Sequence, residues 1–207
     1  MDWPLVLATR NKGKIAEFRQ MAAGFDIDIK GLDDFGPIPE VEEDGETFDE
    51  NAYKKASFTA RVLGMPAIAD DSGLVVKALG GLPGVKSARY AGERATDEDN
   101  NLKLLKAMET VEDRKAAFVC VISIAVPRGS ALTYEGKCEG LIAREPVGDL
   151  GFGYDPLFYY PQLQKTFAQL TTEEKNQVSH RGRAMGELRG ELDKVLTWLR
   201  QRLGEAF

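Results

Sequence analysis

The chain has 207 residues, of which 33 are acidic and 27 are basic, so its formal charge is −6. With 43% apolar and 29% charged residues, the composition is that of a globular domain, which excludes the collagen-like, low-complexity and disordered classes. The acidic balance disfavours a general nucleic-acid coat protein, which needs excess Lys and Arg, but it allows a small anionic ligand in a local basic pocket.

Cysteine and histidine are scarce, with only Cys120, Cys138 and His180 present. The two cysteines form no Cys-x-x-Cys pair, so neither a disulfide scaffold nor a zinc site is expected, and a reducing cytoplasm fits. A single histidine excludes metal sites built from several histidines. No apolar run approaches the roughly 18 residues of a membrane span, and the first residues lack the basic region of a signal peptide. We therefore expect a cytoplasmic protein that does not contact membranes.

The apolar pattern predicts strands and helices that alternate along the chain. Short apolar runs are typical of buried strands, and apolar residues at spacings of three and four are typical of helices. Capping boxes at Thr47, Thr96 and Thr171 mark three helix starts. Strands are predicted at 5–8, around 27–29, and at 67–69, 74–76, 116–126 and 131–143. Helices are predicted from about 15 to 25, from 47 to about 63, from 96, from 171, and from about 182 to 203. Loops or turns are predicted at 36–46, 70–73, 80–84 and 144–161.

These elements predict one α/β domain over residues 1–207. The first strand, loop and helix form a unit typical of parallel sheets, whereas the short link at 127–130 predicts an antiparallel hairpin. The central sheet is therefore expected to be mixed, with helices flanking it.

The first polar loop, Thr9-Arg10-Asn11-Lys12-Gly13-Lys14, is a candidate phosphate site. A strand-to-helix junction presents free backbone N–H groups and the positive end of the helix dipole. The basic side chains add counter-charge, and Thr9 and Asn11 add neutral hydrogen bonds. The Walker pattern is absent, because Ile15 follows Gly13-Lys14. The alternative is a capped, solvent-facing basic turn.

Two consecutive carboxylates, Asp70 and Asp71, follow a buried strand. Because neighbouring strand residues point to opposite faces, only one of them is expected to face a given pocket, while the other braces the loop. Such groups suit Mg²⁺ binding or general-base activation of water, although a turn that satisfies backbone donors also explains them. The acidic segment 40–46 supplies a second metal ligand if one of its glutamates reaches Asp71; otherwise it is a solvated face.

A glycine–aromatic loop, Gly151-Phe152-Gly153-Tyr154-Asp155, and a later basic cluster complete the candidate residues. Glycines allow close backbone approach, and an aromatic held between them can stack on a planar base. A tight turn with buried aromatics is the alternative. Lys175, His180 and Arg181 supply hydrogen-bond donors near a predicted helix start, and otherwise form an ordinary surface cluster.

Six short motifs are spread over almost the whole chain, and together they are far more specific than any one alone. They are Thr9-x-Asn11-x-x-Lys14, Glu46-Thr47-Phe48-x-x-Asn51-Ala52, Ala67-Ile68-Ala69-Asp70-Asp71-Ser72-Gly73-Leu74, Gly84-Val85-x-Ser87-Ala88-Arg89-Tyr90, Gly151-Phe152-Gly153-Tyr154-Asp155-Pro156 and Ser179-His180-Arg181. In this order they resemble the inosine triphosphate pyrophosphatase family, whose bacterial members hydrolyse nonstandard purine nucleoside triphosphates. Arg10 departs from this pattern, because many relatives carry a small residue there.

The resemblance implies an elongated α/β fold with a mixed central sheet and two lobes around a substrate cleft, usually as a homodimer. It implies hydrolysis of ITP, dITP and XTP to the monophosphate and pyrophosphate, assisted by Mg²⁺. No nucleic-acid or membrane partner is implied.

The resemblance also implies roles for individual residues. The loop Thr9 to Lys14 would hold the triphosphate. Asp71 would be the general base and a metal ligand, with Glu42 as the second ligand and Glu43 or Asp70 as alternatives. The substrate contacts implied are those of Ser72, of Phe152 stacked on the purine, of Gly153, Tyr154 and Asp155 at the base and sugar, of Lys175, and of His180 and Arg181 at the purine edge.

Two other functions use the same residues. A related pyrophosphatase that acts on modified pyrimidine nucleotides differs in its substrate. A nucleotide-sensing or nucleic-acid-binding module differs in its lack of turnover, and the charge of −6 together with Asp71 argues against it.

Overall fold

The computed structural model describes residues 3–204. Its strands are β1 (Leu5–Leu7), β2 (Ile29–Gly31), β3 (Ala67–Val76), β4 (Lys115–Ala125), β5 (Ala131–Ile142), β6 (Phe158–Tyr160) and β7 (Lys165–Thr166). Its α-helices are α1 (Lys12–Met21), α2 (Phe48–Leu63), α3 (Asp97–Ala107), α4 (Thr172–Val178) and α5 (His180–Gly204). Among these residues, no helix combines the length and the apolar character that crossing a membrane requires.

The strands form one seven-stranded sheet in the order β2-β1-β3-β4-β5-β6-β7. β1 pairs in parallel with both β2 and β3, whereas β6 is antiparallel to β5 and to β7. The predicted α/β class with a mixed sheet is therefore confirmed.

The first helix begins earlier than the prediction. The Oδ1 atom of Asn11 accepts hydrogen bonds from the N–H groups of Gly13 at 2.9 Å and Lys14 at 3.2 Å. This side-chain cap starts α1 at Lys12, so the end of the predicted loop is the first helical turn. The predicted extension to Phe25 is wrong, because α1 ends at Met21.

The predicted turn at 70–73 is also wrong, since β3 continues without interruption from Ala67 to Val76. Asp and Gly disfavour strands as isolated residues. Here Asp70 and Asp71 each bind a lysine of a flanking helix, and these tertiary contacts stabilise the extended backbone.

Two differences concern the C-terminal third. β6 lies within the predicted loop 144–161, and β7 follows just after it, where no strand was predicted. The last helix begins at His180 rather than at the predicted Gly182. The hydroxyl of Ser179, the residue before the helix, accepts a hydrogen bond from the Gly182 N–H at 3.1 Å. Gly182 is needed for close approach, because a Cβ there would lie 1.8 Å from the Asn176 carbonyl oxygen.

The chain divides into two compact units, each described here by itself. The first unit comprises 1–71, 121–135 and 184–207, and the second comprises 72–120 and 136–183. In the first, the small residues Ala56 and Ala60 of α2 pack against Ala67 and Ala69 of β3. Small side chains allow close packing, which brings the polar residues of α2 near the middle of β3. In the second, Phe118, Phe158 and Phe167 form an aromatic cluster within a larger apolar core.

Candidate active site

The two neighbouring aspartates of β3 contact different helices, as the alternation of strand residues predicts. Asp70 is buried and accepts hydrogen bonds from the Lys14 ammonium of α1 at 2.8 and 2.9 Å. Asp71 is half-buried and faces α2, where Asn51 and Lys55 donate to it. Asp70 therefore anchors the first helix, and Asp71 is the carboxylate that remains partly accessible.

Lys55 holds Asp71 beside a second carboxylate. Its Nζ lies 3.1 Å from Asp71 Oδ1 and 3.2 Å from Glu43 Oε2. Asn51 is 1% exposed; its amide donates to Asp71 Oδ2 at 3.4 Å and its Oδ1 accepts from the Gly45 N–H at 2.8 Å. The acidic segment and the middle of β3 are thus joined through two residues of one helix face.

The electrostatics of this cluster favour a cation. Burial raises the pKa of the Asp71 carboxyl, and nearby Glu43 raises it too, while the Lys55 ammonium partly offsets both. Burial acts to lower the pKa of Lys55, but Asp71, Glu43 and Asp70 outweigh it and the net direction is upward. Lys55 therefore stays charged and neutralises a region where negative charges converge.

The first loop has fewer free backbone donors than its sequence suggests. The Gly13 and Lys14 N–H groups bind the Asn11 side chain, and the Asn11 N–H donates to Thr9 Oγ1 at 3.2 Å. The Arg10 guanidinium forms an ion pair with Asp33. Phosphate binding by this loop would therefore depend on side chains, with Lys12 exposed and Lys14 a quarter exposed.

A cavity of about 250 Å³ lies beside these groups in the first unit. Thr9, Arg10, Glu43 and Lys55 are among the residues that line it. The cavity thus has the first loop on one side and the acidic segment on the other. Glu42 is exposed and does not line it, whereas Glu43 does.

The second unit contains the glycine–aromatic loop. Phe152 is 63% exposed, and its ring lies 4.6 Å below the Lys175 ammonium. Asp155 is 2% exposed; it accepts from the Phe152 N–H at 2.9 Å and forms an ion pair with Lys175. Asp155 thus shapes the loop, while Phe152 offers an accessible aromatic face.

The remaining predicted residues differ in accessibility. Tyr154 is buried and its hydroxyl donates to the Ser87 carbonyl at 2.9 Å, so its ring belongs to the core of the second unit. His180 is 7% exposed and its ring stacks on Phe118 at 4.8 Å between centroids. Arg181 is half-buried in the first turn of α5. Ser72 is also half-buried and is the first residue of the second unit.

Lys55 is the residue that the sequence analysis missed. It lies four residues after Asn51, on the same face of α2. Asn51 belongs to a recognised motif that opens with a capping box, so the four-residue spacing was the available signal. Its partners are distant in sequence, and only the packing of α2 on β3 identifies them.

A comparison with protein families matches residues 5–191 to the model of the Ham1 family. The chain belongs to the Ham1 family. The resemblance seen in the six motifs is thereby confirmed. Solved Ham1 structures agree with this fold: the protein from Coxiella burnetii superposes with a TM-score of 0.89 at 44% identity, covering 93% of this chain and 99% of that one. The Ham1 protein from Staphylococcus aureus superposes with a TM-score of 0.87 at 46% identity, covering 92% of this chain and 98% of its own.

Curated relatives of this Ham1 chain carry a functional name. A protein of Syntrophobacter fumaroxidans named dITP/XTP pyrophosphatase is 61% identical over 97% of this chain and 87% of its own length. A protein of the same name from Desulfotalea psychrophila is 59% identical over 97% of this chain and 90% of its own length.

Proposed function

We propose that the protein is a pyrophosphohydrolase that converts dITP, ITP and XTP to the nucleoside monophosphate and pyrophosphate, removing nonstandard purines from the nucleotide pool. The observation that carries the proposal is the partly accessible Asp71 carboxylate, held by Asn51 and Lys55 beside Glu43. The names of the relatives supply the substrate class. The side chains proposed for the triphosphate lie in the first unit, and those proposed for the base lie in the second.

The carboxylates of the first unit fit a divalent metal ion. Asp71 and Glu43 converge on one cation, the Lys55 ammonium. Among residues 3–204 no group of three or more His, Cys, Asp or Glu side chains is placed to hold a metal. Two protein carboxylates completed by water and substrate phosphates are a site typical of Mg²⁺. We therefore propose Asp71 with Glu43, rather than the exposed Glu42, as the Mg²⁺ ligands.

Removing Lys55 tests this cation site without measuring activity. In Lys55→Met the two carboxylates lose their shared ammonium, so we expect the free energy of unfolding to fall by about 2 kcal/mol. Added Mg²⁺ should raise the Tm of the variant more than that of the parent, because the ion replaces the lost charge. Lys54→Met is the control, since Lys54 binds the exposed Asp44 instead. An equal Mg²⁺ response in all three proteins contradicts the proposed ligands.

Each proposed role follows from the chemistry of a side chain. Bound Mg²⁺ would neutralise phosphate charge and stabilise the departing pyrophosphate. Lys14 and Lys12 bind phosphate oxygens, and Thr9 and Asn11 add neutral hydrogen bonds. Asp71 accepts a proton from the attacking water at a carboxylate oxygen.

Selection of the base is proposed to depend on the purine 6-position. Hypoxanthine and xanthine carry an acceptor oxygen there, whereas adenine carries a donor amine. Donors from Arg181 or His180 would pair with the 6-oxygen of hypoxanthine or xanthine. In ATP they would face the donor amine of adenine, which is strongly disfavoured because buried polar groups would be left unpaired. Phe152 would stack on the ring, with Lys175, Ser72 and the Gly153–Asp155 backbone beside the base and sugar.

Product analysis with ITP and Mg²⁺ tests the function. We expect inosine monophosphate and pyrophosphate in equal amounts without free phosphate, and loss of turnover when the metal is chelated. Faster hydrolysis of pyrimidine triphosphates would indicate the related pyrophosphatase activity. Binding of ITP without release of pyrophosphate would indicate a sensor and overturn the proposal.

Phe152→Ala tests the stacking role. Stacking of a base on an aromatic side chain contributes about 1–3 kcal/mol, so we expect the KM for ITP to rise at least about fivefold with little change in kcat. Leu163→Ala removes another exposed apolar side chain of the second unit and should leave KM unchanged. An unchanged KM in Phe152→Ala removes this residue from the base site.

The resemblance further supports a homodimer, and the two buried cysteines, which are not joined in a disulfide, fit a reducing cytoplasm. Light scattering coupled to size-exclusion chromatography distinguishes a dimer from a monomer of 22.8 kDa.

A further inference from the structure

Helix α3 holds the loop that presents Phe152. The Gly153 N–H donates to Asp97 Oδ2 at 2.6 Å, and the Gly153 carbonyl accepts from the Asn101 side-chain amide at 2.9 Å. Both backbone polar groups of one glycine are thus bound by side chains of α3. Asp97 and Asn101 are four residues apart, so they lie on the same face of the helix.

The cap of α3 does not require Asp97. The capping box of this helix consists of Thr96 and Asp99: the Thr96 side chain accepts from the Asp99 N–H and the Asp99 carboxylate accepts from the Thr96 N–H. Three acidic residues occupy the first turn, and Asp97 is the one that binds Gly153. Its carboxylate therefore has a specific partner in addition to any interaction with the helix dipole.

The loop needs such external contacts. Gly151 and Gly153 have positive φ angles of 79° and 60°, which glycine adopts at the cost of a large conformational entropy in the free chain. Phe152 lies between them and is largely exposed, so packing alone does not fix its ring. Asp155 binds the Phe152 N–H on one side, and α3 binds the next residue on the other.

We propose that Asp97 and Asn101 are positioning residues that orient Phe152 for the planar base of the nucleotide. The inference rests on the proposed function and adds to it two residues outside the six motifs. The pair acts on the affinity for the base and leaves the affinity for the triphosphate and the hydrolytic step unchanged.

Asp97→Ala measures this effect against a matched control. We expect the KM for ITP to rise about fivefold with kcat within about twofold, because a hydrogen bond to a charged group is lost. Asp97→Asn keeps an acceptor oxygen and should restore most of the affinity. Glu98→Ala removes a neighbouring exposed carboxylate from the same helical turn and should leave KM unchanged. Asn101→Ala, which removes the second contact, should raise KM about threefold.

Inorganic triphosphate separates positioning from a general loss of structure. This competitor has no base, so its inhibition constant should be the same in the parent and in all these variants. A parallel weakening of inorganic triphosphate would indicate a structural defect and overturn the inference.

A double-mutant cycle with Phe152 tests the route of the effect. Once Phe152 is replaced by alanine, Asp97→Ala should raise KM no further, since the ring that it positions is gone. Additive effects of the two substitutions overturn the inference. If the parent does not hydrolyse ITP, the proposed function fails. If the parent hydrolyses ITP and Phe152→Ala raises the KM, but Asp97→Ala and Asn101→Ala leave it unchanged, only this inference fails.

Discussion

Asp71→Asn is expected to lower kcat for ITP by about a thousandfold, within the range that loss of a positioned general base produces. The amide cannot take a proton from water at neutral pH. It has nearly the same size as the carboxylate, and its one oxygen can still accept the hydrogen bond from Lys55, whereas the bond from Asn51 to the second carboxylate oxygen is lost. The fold should therefore persist, with a Tm within a few degrees of the parent and an unchanged circular dichroism spectrum.

Asp49→Asn is the control for this experiment. Asp49 is an exposed acidic residue in the first turn of α2, the helix whose side chains bind Asp71. Its substitution should leave turnover unchanged. Activity of Asp71→Asn within about tenfold of the parent excludes Asp71 as the general base.

Lys14→Ala is expected to raise the KM for ITP at least about tenfold, because a charge-assisted hydrogen bond to phosphate is lost. The same substitution breaks the ion pair with Asp70, whose side chain is 2% exposed, so the free energy of unfolding should also fall by about 3 kcal/mol. Steady-state kinetics below the Tm of the variant and denaturant unfolding measure the two effects separately.

Asp70→Asn separates the two roles of Lys14. It weakens the same ion pair while leaving the ammonium in place, so stability should fall and the KM should stay near that of the parent. Inorganic triphosphate should inhibit Lys14→Ala more weakly than the parent, because this competitor binds through its phosphates. If Lys14→Ala changes neither KM nor this inhibition, Lys14 does not contact the triphosphate.

Local patterns predicted most of the secondary structure. The capping boxes at Thr47, Thr96 and Thr171 mark the observed starts of α2, α3 and α4, because a cap needs only residues three positions apart. Asn11 caps α1 for the same reason, although the sequence analysis assigned its neighbours to a loop. The end of β3 was misjudged because isolated Asp and Gly favour turns, whereas two lysines from other helices stabilise the strand.

The candidate site divides in the same way. Phe152 and Asp71 were recognised from short motifs whose members are adjacent in the chain. The choice between Glu42 and Glu43 as the proposed metal ligand depends on which side chain reaches Lys55. The Arg10 guanidinium is bound by Asp33, which lies 23 residues away in the chain. The contacts of Asp97 and Asn101 with Gly153 span more than 50 residues, and no local pattern signals them.

The sequence by itself determined the α/β class, the family and the chemical types of the proposed site, because periodicity, caps and adjacent motif residues depend on short stretches of chain. Only the tertiary structure decided which charges meet: Lys14 with Asp70, Lys55 with Asp71 and Glu43, and Arg10 with Asp33. The physical reason is that an ion pair or hydrogen bond depends on distances of a few ångströms between groups far apart in sequence, and the packing of α1 and α2 on the sheet sets those distances.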